Sequence, residues 1–299
     1  MELQQLKTFI TIAKVSSFTK AAELLDYAQS SVSGQIRALE EEFEVRLFER
    51  LGRAVCLTEE GKRLLVYAEQ LLKLAEETKD SVTGSTQPRG TLIIGAPESL
   101  SVFRLPELLK EYRSRFPNVK LVLKLGSCRD ILSWLKKSII DIAFLMDTPL
   151  DVPSLVSKCL CQEQIVLIAG NDHFMTNKNT IELKDLEGED LILVEEDGCC
   201  YRMIFESLMA EAGVYPSSIQ EFGSVEMIKK CVISGLGVSI LPLISVEKEI
   251  RDGQLKEISW SSPDFNIHTQ ILYCRNKWLS PALSAMIELS KQHIKNKSI

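Results

Sequence analysis

Gln29, Ser30, Ser33, Gly34 and Arg37 share one face of a segment whose other face carries Val32, Ile36, Leu39 and Phe43 at three- and four-residue steps. That repeat predicts a helix over about Gln29–Phe43, with the first set turned toward solvent. Amide, hydroxyl and guanidinium groups are the types that reach base edges in the major groove of DNA. The plainer reading of the same face is a solvated helix surface. Downstream, Arg50 and Arg53 flank Gly52 in a turn between apolar runs, and Thr58 follows. Such a turn reads as a hairpin, or wing, whose arginines would lie where phosphates run.

A second set of residues sits where strand-like runs give way to helix-like ones: Glu98, Ser99, Leu100 and Ser101; Gly126 and Ser127; Met146; Cys199, Cys200, Tyr201 and Arg202; Phe222 and Gly223. In open α/β sheets, ligands bind beyond the carboxyl ends of strands, where helix N-termini point inward. Hydroxyls and free N–H groups at such places favour a small anion such as a carboxylate, and Arg202 is a candidate contact for it or a partner for Glu98. Each turn also reads as an ordinary helix cap.

Other chemistry is poorly supported. The histidines are His173, His268 and His293, and none lies in a nucleophile elbow, a zinc motif or a phosphate loop. No enzyme, metal or cofactor is expected. Cys159-x-Cys161 lacks the accompanying histidines of a metal site. Cys199-Cys200 beside Arg202 at a helix start raises the idea of an activated, redox-sensing thiol. The simpler reading is two small pocket-lining residues.

Three helices must position the first set. Leu3, Leu6, Phe9, Ile10 and Ala13 form one stripe; Phe18, Ala21, Ala22, Leu24 and Leu25 form the next, with Ser17 as its cap. A short second helix turning into the third is a helix-turn-helix, and Ala22 is small enough to let the two approach closely. Thr58 then caps a helix reaching about Ser81, with Leu64, Leu65, Ala68, Leu71, Leu72 and Ala75 along one seam. A second copy of the chain is the simplest partner for that seam, giving a dimer. A breaker-rich stretch, Gly84–Gly90, precedes alternating runs: strands at Thr91–Ala96, Val119–Leu125, Ile139–Leu145, Ile165–Ala169, Leu191–Val194, Gln220–Phe222 and Thr269–Cys274; helices near Ser101–Phe116, Arg129–Lys137, Tyr201–Ala212, Val225–Ser234, Leu243–Arg251 and Leu279–Ile294. This alternation predicts parallel sheets covered by helices, in two lobes.

The chain has 299 residues, a net charge of −6 and a mean hydropathy of +0.04, which exclude a generally basic nucleic-acid coat but not a local basic surface. No apolar run approaches the ~20 residues of a membrane span. Met1–Gln5 lacks the basic and apolar segments of an export signal. A cytoplasmic protein with reduced thiols and no membrane partner is expected.

The ordered set Phe18-Thr19-Lys20-Ala21-Ala22-Glu23-Leu24-Leu25, Gln29 through Glu41, Leu47-Phe48-Glu49-Arg50 and Leu57-Thr58-Glu59-Glu60-Gly61 resembles the LysR-type transcriptional regulators. Weaker matches follow at Leu105-Pro106-Glu107, Phe116-Pro117, Asp141-Ile142-Ala143 and Gly235 through Pro242. The resemblance implies an α/β fold with an N-terminal all-α winged helix-turn-helix (1–58), a dimerisation helix and hinge (59–90), and a two-lobed periplasmic-binding-protein-like effector domain (91–299). Lobe I would take about 91–161 and 267–299, and lobe II about 162–266. It implies double-stranded DNA, a small effector of unknown identity and RNA polymerase as partners, and a homodimer assembled into a homotetramer. Carried over by position, Gln29, Ser30, Ser33 and Gly34 face bases, and Arg50, Arg53 and Thr58 lie near phosphates. Two departures stand out. Ala28 occupies a position where a capping hydroxyl is common, and Gly34 replaces a longer, often basic side chain.

Overall fold

The computed structural model describes residues 1–51, 54–84, 86–195, 199–261 and 265–295; of Arg50, Leu51, Ala54 and Lys295 it describes the backbone alone. The chain forms two compact units, Met1–Thr86 and Gln87–Ile299.

In the first unit, α1 (Leu3–Val15), α2 (Phe18–Leu25) and α3 (Gln29–Phe43) pack through Leu6, Phe9, Ile12, Ala21, Val32, Ile36 and Leu39, all essentially inaccessible to water. The breaks between helices are local. Ser16 and Asp26 adopt left-handed backbone at the ends of α1 and α2, and the Ser17 hydroxyl accepts the Lys20 N–H to open α2. Ala28 opens α3 with no side-chain bond at all. β1 (Phe48–Leu51) and β2 (Ala54–Leu57) pair antiparallel to form the wing. Its base is held by Glu40 of α3, whose carboxylate accepts the N–H groups of Leu47 at 2.8 Å and Phe48 at 3.3 Å. The Phe48 ring then packs on Phe9 and Phe18, with centroids 5.3 and 5.6 Å away.

α4 (Glu59–Val82) starts at Thr58, whose hydroxyl accepts the Gly61 N–H at 3.0 Å and donates to the Arg46 carbonyl at 2.7 Å. The expected single seam is divided between two faces. Leu64, Leu65, Ala68 and Leu72 pack on the three-helix core, whereas Leu71 is exposed alongside Tyr67 and Leu74. The reason is rotation: at 3.6 residues per turn, residues 64, 68 and 72 face α1, and 67, 71 and 74 lie about a quarter-turn away.

The second unit holds two lobes. In the first, β3 (Gly90–Ala96), β4 (Val119–Leu125), β5 (Ile142–Asp147), β6 (Leu155–Gln162) and β12 (His268–Cys274) form one sheet in the order β4-β3-β5-β12-β6. β3 runs parallel to β4 and β5, and β12 antiparallel to β5 and β6. In the second lobe, β7 (Ile165–Gly170) lies between β10 (Ser239–Pro242) and β11 (Leu255–Ile258), antiparallel to both. β8 (Asp190–Val194) and β9 (Ser218–Phe222) pair in parallel, and a parallel bridge from Leu191 to Val238 ties β8 to the start of β10. The all-parallel expectation is therefore corrected: the first lobe's sheet is mixed, and the second lobe combines an antiparallel three-stranded sheet with a parallel pair. The chain leaves the first lobe through β6, enters β7 two residues later, and returns through β12. Strands entered by passing directly between lobes have no crossover helix to turn them parallel.

Other boundaries also shift. The expected helix 101–116 is two helices, α5 (Glu98–Phe103) and α6 (Leu105–Arg115). Pro106 lies in the first turn of α6, where its missing N–H costs nothing, but it cannot continue the preceding helix. The strand expected from Ile139 starts at Ile142, because Ser138 is left-handed and Asp141 is occupied in bridging to Ile93 through N–H and carboxylate. β6 spans the strand-like run around Cys159 and Cys161, and β10 and β11 are additions. The remaining helices are α7 (Cys128–Lys136), α8 (Cys200–Glu211), α9 (Val225–Ile233), α10 (Leu243–Arg251) and α11 (Pro281–Lys295).

Two glycines of the first unit make opposite demands. A Cβ on Gly61 would sit 2.2 Å from the Leu47 carbonyl oxygen, where α4 passes under the wing; one on Gly34 would meet nothing within 4 Å. Gly61→Ala should therefore cost roughly 1–3 kcal/mol by forcing the backbone apart. Gly34→Ala should gain about 0.5–1 kcal/mol by helix propensity. Thermal unfolding of the two variants should move the midpoint in opposite directions; equal shifts would contradict the packing.

Candidate nucleic-acid interface and effector cleft

On α3, Gln29, Ser30, Gly34 and Arg37 are exposed and Ser33 is half-buried, so the face expected from the sequence faces solvent. Gln29 reaches along it to donate to the Ser33 hydroxyl at 3.1 Å, and Arg37 pairs with Glu41 at 2.8 Å in an exposed contact one turn on. Arg50 is placed by its backbone pairing with Val55, but its side chain, and all of Arg53, lie outside the described residues. Thr58 has its hydroxyl hydrogen committed to Arg46, so it can meet a phosphate oxygen only after giving up that bond. Sequence reasoning missed Glu40. It lies in the acidic run Glu40-Glu41-Glu42, and its role as anchor of the wing needs the three-dimensional path of the chain.

The second unit encloses a cavity of about 400 Å³ between its lobes. From the first lobe it is lined by Glu98 and Ser99 at the start of α5, Leu125, Gly126, Ser127 and Cys128 before and in α7, and Met146 at the end of β5. From the second come Val194 and Glu195 after β8, Cys199, Cys200 and Tyr201 at the start of α8, and Gly223 and Val225 at α9. The local reasons are clear. Ser127 caps α7 by accepting the Asp130 N–H at 3.1 Å. Gly126 has no room for a side chain, since a Cβ there would lie 2.6 Å from the Trp134 ring. Among the described residues, three hydrogen bonds at the cavity cross the cleft: the Cys200 thiol donates to the Met146 carbonyl at 3.1 Å, and the Glu98 carboxylate accepts both the Ser224 hydroxyl at 3.0 Å and the Val225 N–H at 2.9 Å.

Glu98, Ser99, Gly126, Ser127, Met146, Cys199, Cys200, Tyr201 and Gly223 thus come together around one cavity. Leu100, Ser101, Phe222 and Arg202 do not line it. Leu100 is wholly buried in the first lobe, because it sits a third of a turn away from the cleft face of α5. Arg202 is 3% exposed, and its guanidinium donates to Glu206, Glu221 and the Val194 carbonyl. It is neither the partner of Glu98 nor free for a ligand. Of the lining residues missed, Glu195 follows the end of β8, where the strand-end rule already pointed; Leu125, Cys128 and Val225 adjoin turns that were read.

The simpler reading of the thiols fits the structure, since Cys199 and Cys200 line the cleft. Burial pushes Cys199 up to about 11 and Cys128 up to about 12, and Cys200 further still, with the Asp147 carboxylate adding to the rise at Cys128 and Cys200. Arg202 does pull Cys199 down, but less than desolvation lifts it, because its charge is absorbed by two glutamates. None of the eight cysteines forms a disulfide, and no His, Cys, Asp or Glu group among the described residues is arranged to hold a metal.

Comparison with known proteins decides the family. Residues 3–62 match the model of bacterial regulatory helix-turn-helix proteins of the lysR family, and residues 85–295 match the LysR substrate binding domain. The chain belongs to the LysR family of transcriptional regulators. It is 43% identical over 296 residues to the Bacillus subtilis HTH-type transcriptional regulator YwqM, covering 99% of this chain and all of that one. It is 31% identical to GltR of the same organism, covering 99% and 98%. Among solved structures, a full-length OxyR variant from Pseudomonas aeruginosa superposes with a TM-score of 0.70 at 26% identity, covering 99% of this chain and 95% of that one. CbnR in complex with its target DNA gives 0.68 at 22%, a likeness of fold. This LysR-family chain is thus a DNA-binding transcriptional regulator with a substrate-binding domain, and not an enzyme.

Thiol chemistry tests the cleft directly. At pH 8 an ordinary thiol is roughly a quarter ionised, and one with a pKa near 11 about 0.1%. Brief iodoacetamide treatment followed by peptide mapping should label the exposed Cys159 first, with Cys128, Cys199 and Cys200 at least about tenfold slower than free cysteine. Early labelling of Cys199 or Cys200 would contradict this account.

Proposed function

We propose that α3 reads operator DNA and that a small molecule held between the two C-terminal lobes sets the regulator's activity. In this reading Gln29, Ser30, Ser33 and Arg37 meet base edges, Gly34 lets the helix sit close, and Arg50, Arg53 and Thr58 contact flanking phosphates. The observation that carries the first half is the exposed polar face of α3 beside a wing fixed to it by Glu40. The cavity between lobes carries the second. The starts of α7, α8 and α9 adjoin it, and their positive ends support an acid group on the effector, as the sequence suggested. The protein acts in the cytoplasm, with RNA polymerase as a further partner.

A dimer completes the reading. Tyr67, Leu71 and Leu74 are 64%, 37% and 59% exposed on one side of α4, an apolar stripe at heptad-like spacing that a second copy would cover. Pairs of dimers would then give the tetramer that the resemblance implies.

Two measurements test this. Gln29→Ala should weaken binding to the chain's own upstream DNA in gel-shift titrations by about 1–3 kcal/mol, the worth of one good base contact, with thermal stability unchanged. Unaltered affinity would remove Gln29 from the interface. Joint Leu71→Glu and Leu74→Glu substitution should yield monomers by light scattering and raise the operator Kd at least about tenfold through the loss of paired half-sites. A variant that stays dimeric would place the interface elsewhere.

A further inference from the structure

The acid-binding position at the start of α9 is occupied by the protein itself. Ser224 and Val225 present a hydroxyl and an N–H there, and both donate to Glu98, which reaches across from α5 of the other lobe. A carboxylate has about four acceptor positions, so Glu98 keeps capacity for a further donor from within the cavity. On the same wall, the Glu195 carboxylate stands against Gly223, 3.0 Å from where a Cβ would be. No Lys, Arg or His is among the described residues that line the cavity. Arg202, one position beyond the lining Tyr201, is engaged behind the wall. An effector carrying only negative charge would meet two carboxylates at this end without a compensating cation.

We infer that Glu98 is a specificity-determining residue that selects an effector bearing a cationic nitrogen at the α9 end of the cleft, so that the ligand class is amphoteric, an amino acid rather than a simple carboxylate. This rests on the cleft being the effector site. The acid group lies toward the start of α8, whose cap residue Cys199 makes no side-chain bond to the helix, and the ammonium lies between Glu98 and Glu195. Glu98 thereby couples recognition to the lobes. The carboxylate that meets the ligand also bonds to the opposite lobe, so a cation drawn to it strengthens the link across the cleft.

The test uses the full-length protein and three matched sets of probes: the common L-amino acids, their 2-oxo acids and their decarboxylated amines. Binding is followed by thermal shift and calorimetry. At least one amino acid should bind, with its 2-oxo acid weaker by roughly 10- to 100-fold, the worth of one charge-assisted bond. Glu98→Gln, which keeps the shape and the bond from Val225, should erase most of that preference. Ser224→Ala, which keeps the charge and removes one cross-cleft bond, should retain it. Binding of the 2-oxo acids as tightly as the amino acids, binding of none of the probes, or an equal effect of Glu98→Gln and Ser224→Ala overturns the inference. Leu125→Trp, at an exposed position in the cleft, separates the two readings. If 2-oxo acids bind and this variant blocks them, the cleft stands and the charge inference falls; if it blocks nothing that binds, both fall.

Discussion

The cavity exists because the chain crosses between lobes twice at one place, and that place is held by Glu163. Its N–H donates to the Ile267 carbonyl at 2.8 Å, joining the outgoing and returning segments. Its carboxylate, almost fully buried, pairs with Arg104 at 2.7 Å and accepts the Thr269 hydroxyl at 2.5 Å. A buried acid is costly unless paired and hydrogen-bonded, and here both conditions hold. Removing either partner would leave an uncompensated charge where the chain crosses between the lobes. Arg104 closes α5, and Glu98 opens it, so this six-residue helix is fixed at one end to the crossing and at the other to α9. Phe103 adds a third tie, with the Lys229 ammonium 4.9 Å above its ring.

Lys229 itself shows how the second lobe tolerates a buried cation. It is 2% exposed, yet Glu226, Glu249 and the Ser245 carbonyl surround its ammonium. Arg202 follows the same rule with Glu206 and Glu221. Both cations serve the fold behind the cleft wall and leave the cavity to carboxylates and uncharged thiols. At the cavity, charge is therefore sorted, with Arg202 and Lys229 satisfied behind the wall and Glu98 and Glu195 lining the space between lobes.

Much of this was legible in the residues. The 3.6-residue stripes placed α1, α2 and α3, and Leu243–Arg251 and Val119–Leu125 emerge with the bounds that periodicity suggested. The strand-end rule gathered Glu98, Ser127, Met146, Cys200 and Gly223 around one cavity although they are far apart in sequence. What the residues alone could not give was direction. Arg202 is one position from Tyr201, yet it faces the opposite way, because successive helical residues are about 100° apart and its guanidinium finds acceptors on β8 and β9. Strand polarity failed for a similar reason: β6 and β7 are separated by two residues, and only the path between lobes tells that they belong to different sheets. The four-residue strands β10 and β11 are too short for period-two patterning to stand out.

The same sorting explains how a chain of net charge −6 can present a surface to a polyanion. Acids at the end of α3 repel a polyanion when free, but three of them are occupied. Glu40 accepts two backbone N–H groups at the wing, Glu41 holds Arg37, and Glu42 meets the N-terminal ammonium. These contacts are unequal. Glu40 is largely shielded and geometrically fixed, so it remains structural whatever binds nearby. The Arg37–Glu41 pair is exposed at both ends, and such pairs contribute little in water. A phosphate or a guanine edge offers the guanidinium a better-matched, less hydrated partner than Glu41 does. On the proposed reading, Arg37 would exchange Glu41 for DNA, and Glu41 would be left repelled unless the sequence beneath it repaid the difference. Affinity built this way depends on fit more than on bulk charge, which suits a regulator that must pass over most of the duplex without stopping.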